Sequence, residues 1–228
     1  MIAIIPARGG SKGLPNKNIK LMNGKPLIAY SILSALNSPS IDQVIVSTND
    51  PEIADIAKSY GASVPFLRPA ELSTDDSLAV DAYIYTVNQI NNNRNVYDKI
   101  SEVVILLPTA PLRISSDIDN AIELFRKKNA DSVVSWAELN HPVEWCKKIS
   151  ASGKFLDPIN DLKNRQEYSP SYFPVGVVYV FKFEILLSKR YYTENSYAYI
   201  VPKSRAVEID TIEDFLYAET LMKFNAII

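Results

Sequence analysis

The chain opens on four consecutive apolar residues, Ile2-Ala3-Ile4-Ile5. A half-buried strand alternates apolar and polar side chains, whereas a strand apolar at every position is covered on both faces. Burial on both faces demands a sheet lying between two layers of helices, and the following sequence supplies them. Lys25–Asn37 sets Leu27, Ile28, Ile32, Leu33 and Leu36 on one helical stripe, with Pro26 in the first turn. Val44–Thr48 is a second strand. Asn49-Asp50-Pro51-Glu52 starts a helix that ends near Tyr60, with Gly61 as its stop. Ser73-Thr74-Asp75-Asp76 precedes a long helix from Ser77 to Ile90, closed by a surface turn at Asn91-Asn92-Asn93. Val103–Leu107 is the clearest buried strand, Ser115-Ser116-Asp117 caps a helix reaching Lys127, and Ser132–Trp136 is a further strand. This alternation predicts an α/β fold with a mostly parallel sheet and helices on both faces.

The rhythm changes near His141. Residues 138–175 are polar, rich in tyrosine and poorly periodic, and read as an insertion with strands at Glu144–Ile149 and Lys154–Leu156 around a turn at Ser152-Gly153. Strand character resumes at Gly176–Phe181, followed by a short helix at Glu184–Ser188, strands at Ala198–Val201 and Val207–Asp210, and a last helix at Ile212–Phe224. The expected organisation is a main α/β domain of residues 1–137 with 176–228, interrupted by the insertion at 138–175. There is no internal repeat.

With 228 residues the chain buries a core without needing disulfides or a structural metal. Its single cysteine, Cys146, excludes an intramolecular disulfide, and its alternation with Trp145 suggests half-buried packing. One histidine, His141, one cysteine and no nearby pairing pattern argue against a Cys/His nucleophile. A net charge of −2 argues against a general nucleic-acid or anionic-membrane binder, and no apolar stretch approaches the length of a membrane helix. Pro6 and Arg8 break the first apolar run too early for a secretory signal, so a cytoplasmic location is expected.

The loop after Ile2–Ile5 holds Gly9, Gly10 and Gly13, three of the chain's seven glycines, together with Arg8, Lys12 and Lys17. Glycines let backbone N–H groups approach a ligand, and fixed cations complete a nest for phosphate oxygens. Ligands of such sheets bind beyond the carboxyl ends of the strands, where this loop lies. It lacks the Walker A spacing and the Gly-x-Gly-x-x-Gly dinucleotide spacing. The loop therefore reads as a phosphate cradle of a nucleotide-using enzyme.

Other segments add candidate groups. Glu208-Ile209-Asp210, read as a strand, points both carboxylates to one side, where a Mg²⁺ ion bridging to phosphate is the natural occupant. Thr211-Ile212-Glu213-Asp214 resembles a capping box for the last helix. Arg68, beside Pro69 in a loop after a strand, suits a phosphate or carboxylate, although a plain surface arginine is the commoner reading of such a residue taken alone. Leu107-Pro108-Thr109-Ala110-Pro111-Leu112-Arg113 forms a rigid pocket wall at the end of the most buried strand. The tyrosines at 83, 85, 191, 192, 197 and 199 read as core or interface aromatics.

Taken in order, these blocks resemble the cytidylyltransferases that activate sialic-acid-type sugars. Ala7 to Asn18 is similar to that family's Ala-Arg-x-x-Ser-Lys-Gly-Leu-Pro-x-Lys-Asn signature, and Arg68–Leu72, Pro108–Arg113, Arg165-Gln166 and Ile209-Asp210-Thr211 resemble four further blocks. The resemblance implies a Rossmann-like mononucleotide-binding sheet and a reaction of CTP with a nine-carbon α-keto sugar acid, giving the CMP-sugar and pyrophosphate. It implies Arg8, Gly10, Ser11, Lys12, Lys17, Asn18 and Arg68 at the nucleotide, with Lys17, Arg8 and Asp210 as the catalytic candidates. Asp210 with Glu208 would bind Mg²⁺ or another divalent cation, and one of them, or a metal-bound hydroxide, would assist proton removal. It further implies a homodimer, with Arg165 and Gln166 reaching the sugar acid across the interface.

The chain departs from the family pattern at three places. Glu208 stands where the family has Asp. Leu107 stands where a Gln reads the cytosine, so base recognition would rest on backbone groups. Phe173 and Val175 stand where sialic-acid enzymes can carry Arg and Asn, which favours a less hydroxylated sugar acid of the legionaminic or pseudaminic type. A related nucleotidyltransferase using an octulosonic acid or another nucleotide is the competing enzyme reading, and a non-catalytic relative the competing reading of another class. A glycosyltransferase would need an acidic metal motif near Leu107, and none is there.

Overall fold

A computed structural model describes residues 1–92, 94–156 and 163–225. The elements are β1 (Ile2–Pro6), β2 (Leu21–Met22), β3 (Lys25–Pro26), α1 (Leu27–Leu36), β4 (Gln43–Ser47), α2 (Pro51–Ser59), α3 (Ala79–Asn91), β5 (Glu102–Ile105), α4 (Ser115–Lys128), β6 (Ser132–Glu138), β7 (Tyr172–Lys182), α5 (Phe183–Leu187), β8 (Ser196–Ile200) and α6 (Ile212–Asn225). Six strands form one sheet in the order β4-β1-β5-β7-β6-β8, in which only β7 runs against its neighbours. The expected mostly parallel, Rossmann-like α/β sheet is the one observed.

Each all-apolar strand serves two cores, as its lack of alternation requires. Ala3 and Ile5 of β1 pack with α1, α2 and α4 on one face, while Ile2 and Ile4 pack with Val80, Tyr83 and Val87 of α3 on the other. Asp50 starts α2 by accepting from the N–H groups of Glu52 and Ile53, and Gly61 stops it at φ +94°. A third small core brings Leu14 against Ile209, Phe215 and Ala218, which fastens the glycine loop to the C-terminal segment.

Several expected boundaries move. α3 begins at Ala79, so residues 73–78 remain a loop over the sheet's carboxyl edge. The long apolar stripe of the first helix starts only after Lys25 and Pro26 have paired with Leu21 and Met22. Val207–Asp210 is irregular, not a strand. Its Ile209 N–H donates to the Thr109 carbonyl, outside any ladder (2.8 Å). Asn93, of the expected Asn91–Asn93 turn, and residues 157–162 of the insertion lie outside the described residues.

The excursion leaves the sheet after Glu138 and returns at Tyr172, with Leu139 N–H donating to the Ser171 carbonyl (2.8 Å). A chain that leaves and returns at the same edge without a crossover must come back antiparallel, which is why β7 alone is reversed. Within the excursion, Val143–Trp145 is a 3-10 turn instead of a strand, and only an isolated bridge joins Ile149 to Phe155. Stacked His141 and Trp145, with Tyr168 edge-on to Trp145, pack this region, and Cys146 is exposed instead of half-buried.

Asp117 of α4 is fully buried and ties the C-terminal segment to the domain. It accepts from Arg205 Nε (3.0 Å) and Nη2 (2.8 Å), from the Tyr199 hydroxyl (3.1 Å) and from Ile114 N–H (3.1 Å). Removing one member of such a pair leaves unpaired polar groups behind. Asp117→Ala is expected to destabilise the fold by about 2–4 kcal/mol in denaturant titrations.

Candidate active site

The carboxyl ends of β1 and β5 open onto a cleft of about 440 Å³. Its lining includes Arg8, Ser11, Lys12, Lys17, Asn18, Arg68 and Asp210 from the expected site, with Leu107, Pro108 and Thr109 as the expected wall. Gly10 lies outside this lining, exposed at the outer bend of the loop.

The glycines of the loop have different duties. Only Gly10 takes a positive φ, +72°, with open space around its missing side chain. A Cβ on Gly9 would lie 2.6 Å from an Asp50 carboxylate oxygen, and one on Gly13 would lie 2.6 Å from the Asp210 carbonyl. Two of the three glycines are therefore demanded by how the loop packs. Gly13→Ala is expected to cost about 1–3 kcal/mol and to disturb the Asp210 segment, whereas Gly10→Ala is expected to cost about 1 kcal/mol. Thermal melts of the two variants compare them.

The cations are held in distinct ways. Lys17 Nζ donates to the Ile209 carbonyl (2.6 Å) and to Asp210 Oδ1 (3.0 Å), joining the first loop to the C-terminal segment. Arg8 pairs with Asp75 Oδ1 (2.7 Å) and Lys12 with Asp75 Oδ2 (2.6 Å). Arg68 is 5% exposed, with only its Nε bonded to protein, at Ser73 Oγ (2.9 Å). Burial lowers its pKa, the Arg8 charge lowers it further, and Tyr83 opposes both. Asn18 is buried and donates from Nδ2 to the Arg8 carbonyl (2.9 Å). Its Oδ1 is the one fully buried side-chain polar atom among the described residues without a hydrogen-bond partner. A buried acceptor without a partner is rare in a folded chain.

Arg113 is the structural residue that sequence reasoning left without a role. It is almost fully buried, and its guanidinium donates to the Val177 carbonyl, to Ser31 Oγ (2.7 Å) and to the carbonyls of Leu107 (2.7 Å) and Gly176 (2.9 Å). Burial pushes its pKa down to about 9, opposed by Asp117, Tyr179 and Glu208. Leu107 N–H donates to the Gly176 carbonyl, and the Leu107 carbonyl takes both Arg113 and Ser31. The Leu107 backbone is thus fully engaged, so any reading of a base by backbone groups falls to other residues. The hint was an arginine closing a Pro-rich segment straight after a buried strand.

The carboxylates also differ from the expected pair. Asp210 is exposed at the cleft, whereas Glu208 lies behind the wall, accepting through Oε1 from Gly176 N–H. A Cβ on Gly176 would collide with that same Oε1 and with Leu107. The two side chains are not presented in parallel because their segment is not a strand. Burial raises the Glu208 pKa; the Gly176 bond opposes this most, Asp210 adds to the rise, and Lys17 and Arg113 offset it. A raised carboxyl pKa makes the folded state the stronger proton binder, so this group disfavours folding as pH climbs from the unfolded value through the folded one. Denaturant titrations of wild type and Glu208→Gln are expected to show the difference shifting in favour of the variant as pH rises from about 4 to about 7.

Val175, expected at the sugar, is fully buried in the main core with Val177 and cannot present its side chain to a substrate. The β7 register turns it to the α4 side. Phe173 is 38% exposed but lies outside the cleft lining, paired with Ala137. Arg165 and Gln166 stand on a short turn of the excursion, lining a separate cavity of about 320 Å³ with His141 and Tyr168.

A family model described as Cytidylyltransferase matches residues 2–227. The chain belongs to the cytidylyltransferase family. This cytidylyltransferase is 36% identical to a CMP-N,N'-diacetyllegionaminic acid synthase of Legionella pneumophila, over 99% of this chain and 97% of the relative. It is 31% identical to a pseudaminic acid cytidylyltransferase of Campylobacter jejuni, over 98% and 97%. Among solved structures, its fold matches a CMP:2-keto-3-deoxy-manno-octonic acid synthetase complexed with CTP, with a TM-score of 0.73, 16% identity and 98% coverage of both chains. The cytidylyltransferase is accordingly a nucleotidyltransferase with a Rossmann-like sheet.

Proposed function

We propose that this cytidylyltransferase couples CTP to a nine-carbon α-keto sugar acid, releasing pyrophosphate. The observation that carries the reading is the convergence of Arg8, Lys12, Lys17 and Arg68 on one cleft at the carboxyl edge of the sheet, facing Asp210. A triphosphate needs such a concentration of fixed positive charge, and charge developing on the departing pyrophosphate needs it more. In this reading Arg8, Lys12 and the Ser11 hydroxyl hold phosphate oxygens, Arg68 lends its free guanidinium end to the nucleotide, and Asn18 Oδ1 accepts a donor from it. The anomeric hydroxyl attacks the α-phosphorus in line, the bond to the pyrophosphate oxygen breaks, and Asp210 accepts the hydroxyl proton. Lys17 orients Asp210 and balances its charge.

The donor set fits Mg²⁺. No group of three His, Cys, Asp or Glu side chains gathers among the described residues, and Mg²⁺ normally takes one or two carboxylates with substrate phosphates and water. Asp210 would hold it beside the substrate phosphates, where it would supply charge neutralisation; Glu208, turned to Gly176 N–H and outside the cleft lining, is not placed as its second ligand.

The sugar is proposed to be a di-N-acylated acid of the legionaminic or pseudaminic type. Similarity to the two full-length relatives supports this; of the two apolar positions first considered, only Phe173 stays accessible. The excursion, expected at 138–175, is proposed as the dimerisation element. It exposes Val143, Trp145, Ile149, Phe155 and Leu156, an apolar patch suited to a second copy, and its Arg165 and Gln166, remote from this chain's own cleft lining, would reach the partner's sugar. A cytoplasmic location belongs to the same proposal; no helix among the described residues is long and apolar enough to cross a membrane.

Pyrophosphate release with CTP is expected for a legionaminate-type acid at a higher kcat/KM than for N-acetylneuraminate or an octulosonic acid, and with no other nucleoside triphosphate. Lys17→Ala and Asp210→Ala are each expected to lower kcat by about 100-fold or more. Light scattering of the intact chain is expected to show a dimer, and a monomer would remove the role given to the excursion.

A further inference from the structure

The cations of the cleft are not left bare. Asp75 stands between Arg8 and Lys12, each of its two carboxylate oxygens taking one cation, at 2.7 and 2.6 Å. It sits on residues 73–78, a loop two residues longer than the sequence suggested, since the helix expected from Ser77 starts at Ala79. Before Asp75 the loop is tethered at Ser73, whose Oγ accepts from Arg68 Nε (2.9 Å) and whose carbonyl accepts from Arg8 (3.4 Å); after it the loop closes on itself, Ser77 Oγ donating to the Thr74 carbonyl (2.7 Å). Both Thr74 and Ser77 line the cleft beside Asp75. The two bridges lower the Asp75 pKa, Lys12 more than Arg8, so it is ionised at neutral pH.

Two cations fixed near one another repel, and a single carboxylate between them relieves that repulsion at close range. Asp75 occupies the place in the charge pattern that a phosphate oxygen pair would fill. We infer that Asp75 is an internal counter-anion that sets the affinity and selectivity of the cleft, so that a ligand must bring enough negative charge to displace it from Arg8 and Lys12. A triphosphate carries that charge. An uncharged nucleoside leaves the bridges in place. The inference rests on the reading of the cleft as a triphosphate site, and Asp75 acts through Arg8 and Lys12, without itself touching the reacting atoms.

The test compares wild type with Asp75→Asn, which keeps the shape and removes the charge. The side chain is 40% exposed and bonded only to the two cations, so the variant is expected to fold as wild type does. Binding of CTP, inorganic pyrophosphate and cytidine is measured by calorimetry at two ionic strengths. CTP and pyrophosphate are expected to bind at least about threefold more tightly to the variant at low salt, with the gain shrinking at high salt, and cytidine equally to both. Equal or weaker CTP binding by the variant overturns the inference, weaker binding marking Asp75 as a direct contact to the ligand or its cation. A cytidine affinity that changes as much as that of CTP overturns it too. If wild type binds pyrophosphate but not CTP, the nucleotide reading falls, while a tighter pyrophosphate affinity in the variant still upholds the role of Asp75.

Discussion

The buried guanidinium of Arg113 is the joint on which the site hangs. It clasps α1 through Ser31, the end of β5 through Leu107, and β7 through Gly176 and Val177. The reversed strand β7 is thereby fixed beside the cleft wall at a point where the sheet's own ladder gives way to irregular backbone. Gly176, held from one side, then offers its N–H to Glu208, and the Glu208–Asp210 segment takes its place. No carboxylate forms an ion pair with Arg113 among the described residues; carbonyl dipoles and the more distant Asp117 and Glu208 keep it charged. A buried cation without a contacting anion is costly, and it is tolerated because its guanidinium nitrogens find acceptors just past the end of β5 and at the irregular middle of β7.

From that joint outward the chemistry is arranged as compensated charge. Lys17 answers Asp210, Arg8 and Lys12 share Asp75, and Arg68 keeps its terminal nitrogens open in a dry wall. The cleft is thus a set of ion pairs that a polyanion can rewrite, consistent with a family whose reaction begins and ends with phosphate groups of different charge. Two of the three loop glycines serve this arrangement by close packing, at Asp50 and Asp210, and so place the loop rather than line it with amides.

Much of the fold was legible from local pattern. The unbroken apolar run Ile2–Ile5, the Asp50-Pro51 helix start and the stripe of α1 each report a local constraint, period or cap, that tertiary contacts then satisfy. The site was legible where residues are near in sequence: Arg8, Ser11, Lys12, Lys17 and Asn18 all reach one cleft. It was misread where contacts are remote. Val175 looked like a substrate contact, but strand register sends it into the core; Glu208 and Asp210 looked like a matched pair, but a bond to Gly176 separates them.

By itself, then, the sequence determined the α/β class, the phosphate loop at a strand's carboxyl end and the cytidylyltransferase family, because periodicity, glycine spacing and motif order are properties of neighbouring residues. Only the tertiary structure decided the reversal of β7, the clasp of Arg113, the orphan Oδ1 of Asn18 and the bridge of Asp75 across Arg8 and Lys12. Each of these depends on which distant backbone or charge a side chain meets, and that is settled by packing and sheet register, which local pattern does not encode.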